Sequence, residues 1–310
     1  MKFGKKTDWL TRLVVYITLA SLLGFFGRVF WVLDLFAHFR VQYFQICLVL
    51  ILVALWKRRN KLAAALAVVA CFNYAFILPF YFGKTAAEQV PTVRAMLMNI
   101  NASNGNTEQV LKAIQTAAPD LLLLEEVTTK WSEHLTVLDA KYPYRVAEVR
   151  DDCFGIMLLS KYPLSHSSVT YIGTAGVPSI VTTVHLPQVE ISVIGTHPLP
   201  PAGRTYSQHR NDQLGKLPQI VLDQKKPVLL IGDLNTSPWS SYFTRLLRDS
   251  GLKNSMQGFG FQPSWPSNIG FLRIPIDHVL HTPEIVVRNR AVGTDVGSDH
   301  LPVIVDFSCR

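Results

Sequence analysis

The chain has 310 residues, 49% of them hydrophobic and 17% charged, an apolar balance that is high for a soluble protein. Its net charge of +8 lies wholly in residues 1–89, where 11 Lys/Arg face 3 Asp/Glu, leaving 19 of each sign in residues 90–310. The basic balance is therefore no nucleic-acid footprint; it reflects how the N-terminal part is built.

In chain order, uncharged apolar runs come first: Leu13–Gly27, Val41–Trp56 and Leu62–Gly83, of 15, 16 and 22 residues. A helix needs roughly 20 apolar residues to cross a bilayer. The third run meets this alone, and the first two meet it if Arg28, His38 and Arg40 snorkel at the boundary. This predicts a membrane region over residues 1–83 with three transmembrane helices at about 10–30, 38–56 and 62–83. A cleaved signal peptide beginning MKFGKK is the weaker reading, because two further apolar runs follow at once. Short-loop charge sets the orientation. Lys2, Lys5, Lys6 and Arg12 precede the first span, and Lys57, Arg58, Arg59 and Lys61 separate the second from the third. Both clusters are expected on the cytoplasmic side, which places everything after about Gly83 outside the cytoplasm in a multi-pass protein of the cell (inner) membrane.

Residues 84–92 read as a linker, and a second domain is expected over 93–310. VRAMLMNI is a predicted strand, and TEQVLKAIQTAA has a helical period with Thr107 placed to cap it. DLLLLEEV reads as a continuously apolar strand and TKWSEHLTVL as a second helix. GIMLLS, SIVTTVHL and EISVIGTH are shorter strands. YSQHRNDQLGKLPQIVLD is a third helix that Pro218 should bend or divide. PVLLIGD, IDHVLH, EIVVRNRAV and LPVIVDF complete the strands. Continuously apolar strands need cover on both faces, so a layered α/β sandwich is expected. Cys153 and Cys309 could pair in an oxidising compartment, although nothing in the sequence requires it.

Polar residues recur where these strands end: Asn99, Glu126, His197, Asp233 with Asn235, Asp277, and Asp299 with His300. Singly each is a turn former, a cap or a solvated strand end. Together they make an oxygen-rich cluster at the place where layered α/β domains build sites. Oxygen donors suit Mg²⁺ or Mn²⁺ better than Zn²⁺, and no Cys/His spacing for zinc is present. A hard divalent ion, an acidic base and a histidine beside a transferring oxygen are what phosphoester hydrolysis needs. A serine nucleophile is not supported: there is no G-x-S-x-G elbow.

The stretches MNIN, PDLLLLEEV, GTH, IGDLNTSPWS, IDHVL and GSDHLPV stand in the order in which the endonuclease/exonuclease/phosphatase superfamily carries its motifs, and the chain resembles that family over roughly residues 93–307. The resemblance implies a four-layered α/β sandwich, two packed β-sheets flanked by helices, behind the three transmembrane helices. It also implies roles. Glu126 resembles the main metal-ligating glutamate, Asn99 the asparagine supporting metal and phosphate, and Asp299 a residue at the metal site. Asp233 resembles the residue that orients or deprotonates the attacking water, with Asn235 holding the phosphate or that water. His300 resembles the histidine on the phosphoryl oxygens, Asp277 its orienting carboxylate, and His197 a phosphoryl-binding histidine. Asn101 stands where many nucleases of the family have an aspartate, Glu125 replaces a common glutamine, and Leu234 a common phenylalanine. The first departure bears on a second metal position. The other two should leave the chemistry intact, Glu125 pointing away from Glu126 along the strand.

The expected function is a membrane-anchored phosphoesterase, dependent on Mg²⁺ or Mn²⁺, that hydrolyses a phosphodiester by attack of water. Nuclease-like and phospholipase C- or sphingomyelinase-like substrates both fit, and no protein partner is evident. The competing reading is a catalytically inactive binding or scaffold module, which the intact set of polar residues opposes. A pore accessory would want an intramembrane carboxylate pair, and the apolar runs hold none.

Overall fold

The computed structural model describes residues 8–84 and 91–310. Lys2, Lys5 and Lys6 and most of the expected linker, residues 85–90, lie outside the described residues. The chain divides into two units: the helices up to Pro79, with Trp239–Ser241, form one, and the rest of Phe80–Arg310 forms the other.

The first unit is helical because its apolar runs contain no proline before Pro79 and few β-breaking turns. Helices α1 (Trp9–Leu23), α2 (Trp31–Leu35), α3 (Arg40–Trp56) and α4 (Asn60–Ile77) are extended by short 3₁₀ turns. They give three stretches long and apolar enough to cross a membrane: Trp9–Phe26, Trp31–Trp56 and Asn60–Tyr81. Asp8 caps the first by accepting the Thr11 amide at 2.8 Å. The second begins earlier than expected, at Trp31, because Arg40 does not snorkel. Its guanidinium is buried, donating to the Ser21 carbonyl at 2.6 Å and to Asn73 Oδ1 at 3.2 Å, and it lies 4.7 Å from the Phe25 and Phe76 ring centroids. Asn73 closes the cluster by donating to Ser21 Oγ at 2.8 Å. His38 is likewise buried, and only Arg28 of the three is exposed.

The second unit follows from strand period. In β2 (Leu121–Glu125), Leu121 and Leu123 face one way and Leu122 and Leu124 the other, and all four are buried. A strand buried on both faces needs a layer on each side. One sheet has the order β11–β12–β1–β2–β4–β3, with β1 at Val93–Asn99, β3 at Tyr144–Glu148, β4 at Ile156–Ser160, β11 at Ile285–Val292 and β12 at Val303–Cys309. The other runs β5–β6–β7–β8–β10–β9, with β5 at Leu164–Tyr171, β6 at Pro178–His185, β7 at Glu190–Thr196, β8 at Val228–Asp233, β9 at Lys253–Asn254 and β10 at Asp277–His281. Ala95, Leu97, Leu121 and Leu123 meet Ile180, Val193, Leu229 and Ile231 between the sheets. Helices α5 (Thr107–Ala117) and α6 (Thr129–Leu135) cover the outer face of the first sheet through Val110, Ile114, Trp131 and Leu135. Helices α7 (Arg204–Leu222) and α8 (Ser241–Ser250) cover the second through Leu214, Leu217, Phe243 and Leu246. Each such side chain contributes about 1.5–3 kcal/mol on full burial.

Two strand pairs are parallel, β1 with β2 and β7 with β8. Parallel neighbours need a crossover, supplied by α5 and α7. Helix α7 runs through Pro218 unbroken, and Asn106 rather than Thr107 occupies the cap position of α5, without a side-chain bond. Strands β3, β5 and β9 and helix α8 were not foreseen. The three strands lie at sheet edges, where exposed serines and charges blur the period. The cysteines are all free. Cys153 lies in the loop between β3 and β4, whereas Cys309 ends β12 opposite Ile285.

The sheets approach closely at one end. A Cβ on Gly195 would stand 2.5 Å from Leu123 Cδ1 of the facing sheet and one on Gly232 3.0 Å from its Glu125 Oε1, while within its own sheet the Gly232 Cβ would stand 1.8 Å from the Thr196 carbonyl oxygen. The backbone cannot yield as a side chain would, so Gly232→Ala should destabilise the domain by about 1–3 kcal/mol. Thermal unfolding of the variant reads this as a lowered Tm, and an unchanged Tm would contradict the close approach.

Candidate active site

That end of the sandwich gathers the polar strand ends. Asn99 and Glu125 are register partners at the ends of β1 and β2, and Asp233 and Asp277 are partners where β8 ends and β10 begins. His197 follows β7, and Ser298–His300 precede β12, which runs antiparallel to β1. Every residue selected from sequence except Asp299, Asn235 and Glu126 is buried, and those three are partly so.

One group is a chain of carboxylates and imidazoles. His300 Nδ1 lies 2.9 Å from Asp277 Oδ2 and 3.1 Å from Oδ1, which fixes Nδ1 as the donor. Its Nε2 stands 3.6 Å from Asp233 Oδ2, and His197 Nε2 stands 3.6 Å from the same oxygen. These are ion-pair distances, too long for direct hydrogen bonds. The other oxygen of Asp233 accepts the Asn235 amide at 2.8 Å. Burial alone would lower both histidines. For His300 the Asp277 and Asp233 carboxylates prevail and lift it to about 10, and for His197 Glu125 and Asp233 lift it to about 9. His300, raised by Asp277 and Asp233, is thus cationic at neutral pH. Burial raises Asp233, reinforced by Asp277, while His300 holds Asp277 low against the burial that would raise it. His197 Nδ1 is buried with no hydrogen-bond partner. Such a group is costly unless a ligand or water meets it.

A second group surrounds Glu126, whose backbone is left-handed at φ 62°. The turn swings its carboxylate back over the strand ends. Oε1 accepts from Asn99 Nδ2 at 3.0 Å and Oε2 from the Ala102 amide at 2.9 Å. Asn99 Oδ1 accepts the Asn101 amide at 3.0 Å, and Asn101 Nδ2 donates to Asp299 Oδ1 at 2.7 Å. Asp299 Oδ2 accepts from Trp265 Nε1 at 3.0 Å. Each of these carboxylate oxygens keeps a lone pair, so the set fits a hard cation held by oxygen donors. Among the described residues, one compact trio of possible metal ligands is Asp233, Asp277 and His300, within 4.8 Å of one another. Its His300 Nδ1 is already committed to Asp277, whereas the Glu126 group offers oxygen donors alone.

Asn235 lies just past β8, which ends at Asp233, and its backbone is left-handed at φ 50°, with Nδ2 donating to the Pro198 carbonyl at 2.9 Å. Arg210 Nη1 holds the Asn235 carbonyl at 3.0 Å. Leu234 enters the helix-side core. Glu125, treated as incidental, is fully buried and accepts the Asp233 amide at 3.0 Å through Oε2 and 3.2 Å through Oε1. Burial pushes its carboxyl to about 8, against the pull of His197 and with added push from Asp233 and Asp277. The period of two could have revealed it, since Leu121, Leu123 and Glu125 share the inter-sheet face. The Ser298 hydroxyl donates to the Asn99 carbonyl at 2.8 Å and accepts the His300 amide at 3.1 Å. Trp131 and Trp265 gave no sequence signal, yet Trp131 Nε1 holds the Asn101 carbonyl at 3.2 Å. Phe154 lies against His197 with ring centroids 5.6 Å apart.

Comparison with known proteins gives a consistent picture. The sequence profile of the Endonuclease/Exonuclease/phosphatase family matches residues 96–300. Humanized D. rerio TDP2 is similar in structure at 15% identity and a TM-score of 0.59, over 70% of this chain and 99% of that one. The human Nocturnin catalytic domain gives 19% identity and a TM-score of 0.59 over 72% and 97%. An endonuclease/exonuclease/phosphatase from Bacteroides vulgatus gives 15% and 0.59 over 71% and 100%. No curated protein sequence matches.

The Glu125 contact generates a stability test. Glu125→Ala strands the buried Asp233 amide and should cost about 1–3 kcal/mol of unfolding free energy in a denaturant titration. Glu125→Gln keeps an acceptor and should cost less; equal losses would show that the hydrogen bond is not what stabilises.

Proposed function

The chain belongs to the endonuclease/exonuclease/phosphatase family, and from that membership we propose that it is a membrane-anchored, divalent-metal-dependent phosphodiesterase. Members of this family are hydrolases of phosphoester bonds and generally depend on a divalent metal. The observation that carries the reading is Asp233 Oδ2 poised 3.6 Å from the Nε2 atoms of two imidazoles, with Asp277 fixing the tautomer of one.

In this proposal the phosphoryl group binds beside His197 and His300, and the positive charge of His300 offsets the charge on its oxygens. The unpartnered His197 Nδ1 supports a polar ligand there. Asp277 orients His300. Asp233 takes the proton of the attacking water, and the Asn235 amide keeps the other Asp233 oxygen in place. Asn235 itself lies against the phosphate or the water. Glu126, Asn99 and Asp299 would hold Mg²⁺ or Mn²⁺, which when bound supplies Lewis-acid stabilisation of phosphoryl charge. The raised Asp233 carboxyl fits a base, because burial makes it a stronger proton acceptor than a solvated aspartate. A catalytically idle scaffold would not need this arrangement kept whole.

The membrane part of the proposal rests on the three apolar helices and on Lys57, Arg58, Arg59 and Lys61 between the second and third. By the charge bias of short loops that cluster is cytoplasmic, which puts the catalytic domain on the extracytoplasmic face of the cell membrane.

Full-length protein should hydrolyse bis-p-nitrophenyl phosphate with Mg²⁺ or Mn²⁺ and stop when a chelator is added. Asp233→Asn and His300→Ala should each lower kcat by about 10²–10⁴-fold. Rates unchanged by chelator or by both substitutions would defeat the mechanism. A phosphatase reporter fused after Arg310 should be active as an extracytoplasmic enzyme, and activity confined to a cytoplasmic reporter would overturn the orientation.

A further inference from the structure

The segment between the β9 and β10 strands carries an apolar projection beside the site. Trp265 and Ile274 form an isolated bridge, with the Ile274 amide on the Trp265 carbonyl at 2.6 Å and the Trp265 amide on the Ile274 carbonyl at 3.2 Å. Residues 266–273 therefore stand out as a hairpin-like tip. Its root is fixed on the site: Trp265 Nε1 donates to Asp299, the Ser267 amide donates to the Asp299 carbonyl at 2.7 Å, and the Trp265 ring lies 6.4 Å from that of His300. Ile269, Phe271 and Leu272 at its end are 39%, 70% and 36% exposed. Single exposed apolar residues are ordinary, but three within four residues on a projection mark a contact surface. From Trp265 to Phe271 the chain spans at most about 20 Å.

Two further observations choose the partner. Arg273 is the sole charged residue from Phe261 to Ile276, and its guanidinium donates to the Pro266 carbonyl at 3.2 Å and to the Ser267 carbonyl. The tip thus lacks the cations that follow a phosphate backbone. The same loop also holds the chain where it leaves the third apolar helix, within the catalytic unit. The Gly258 and Gly260 amides donate to the Phe80 carbonyl at 2.9 and 2.8 Å, and Gln257 Nε2 to that of Phe82 at 3.0 Å. Tyr81 and Phe82 beside them are 55% and 61% exposed. Residues 257–260, earlier in the segment that carries the tip, thus hold residues 80–82, with the exposed Tyr81 and Phe82 among them, to the catalytic unit.

We propose that the Ile269–Leu272 tip enters a lipid surface and that the substrate of the adjoining site is a lipid phosphodiester, presented by its headgroup. This rests on the phosphodiesterase reading above. In the reaction a water oxygen forms a bond to phosphorus and one ester P–O bond breaks. The water proton passes to Asp233, and the leaving oxygen takes up a proton from solvent, giving an alcohol and a phosphomonoester.

The test uses the full chain reconstituted with Mg²⁺ in vesicles of zwitterionic and anionic phospholipid. The substrates compared are soluble bis-p-nitrophenyl phosphate, the vesicle lipid and a single-stranded oligonucleotide. The combined variant Ile269→Ser, Phe271→Ser and Leu272→Ser should keep the soluble rate and lose about tenfold or more on lipid through a higher KM. Equal loss on both, no loss on lipid, soluble turnover without lipid turnover, or oligonucleotide cleavage in place of lipid overturns the proposal. Absence of turnover on all three substrates defeats the phosphodiesterase reading instead. Insertion is then measured independently: bromine-labelled acyl chains should quench Phe271→Trp beyond the parent protein, and no excess quenching overturns the insertion.

Discussion

A carboxyl group in the apolar layer between two sheets joins them at the active end. Glu125 of one sheet accepts the backbone amide of Asp233 in the other. Both are buried, so the bond cannot be exchanged for water without opening the sandwich. It is also the contact that relates the two halves of the site. Glu126 follows Glu125 directly, and Asn99 is its register partner; Asp277 is the register partner of Asp233. Small shifts between the sheets would therefore move the Glu126 and Asn99 oxygens relative to the imidazoles. Gly195 and Gly232 allow the closeness on which this bond depends.

The electrostatics follow from the same burial. Several ionisable groups in one dry layer cannot all adopt their solution states, and here they divide. Asp277 stays ionised beside His300, Glu125 retains its proton well above the usual carboxylate range, and His300 holds its own. The result is a pocket in which imidazoles and carboxylates alternate, suited to an anionic group that arrives with its own counter-ion.

Sequence made most of this legible, for reasons that particular residues show. Continuous apolar strands such as Leu121–Leu124 announce burial on both faces, and the polar residues that end them announce the site. What the pattern concealed falls into two kinds. Edge strands such as β5, with its exposed serines, lack a period because one face meets water. Glu126 and Asn235 depend on left-handed backbone, which no residue-type rule forces on a glutamate. Asn235 lies past the end of β8, where the strand period no longer says which way a side chain points. Arg40 shows the same limit in the helices: a charge that looked like a boundary marker is satisfied internally by Ser21 and Asn73.

The two parallel pairs have a consequence for how the site is assembled. β1–α5–β2 delivers Asn99 and Glu126, while β7–α7–β8 delivers His197 and Asp233. These are separate supersecondary units, and neither alone holds both an acid–imidazole pair and the oxygen cluster. His300 arrives only with the last strand. A chain in which those units have not yet docked therefore lacks the assembled cluster, because its two halves and His300 come from segments far apart in sequence.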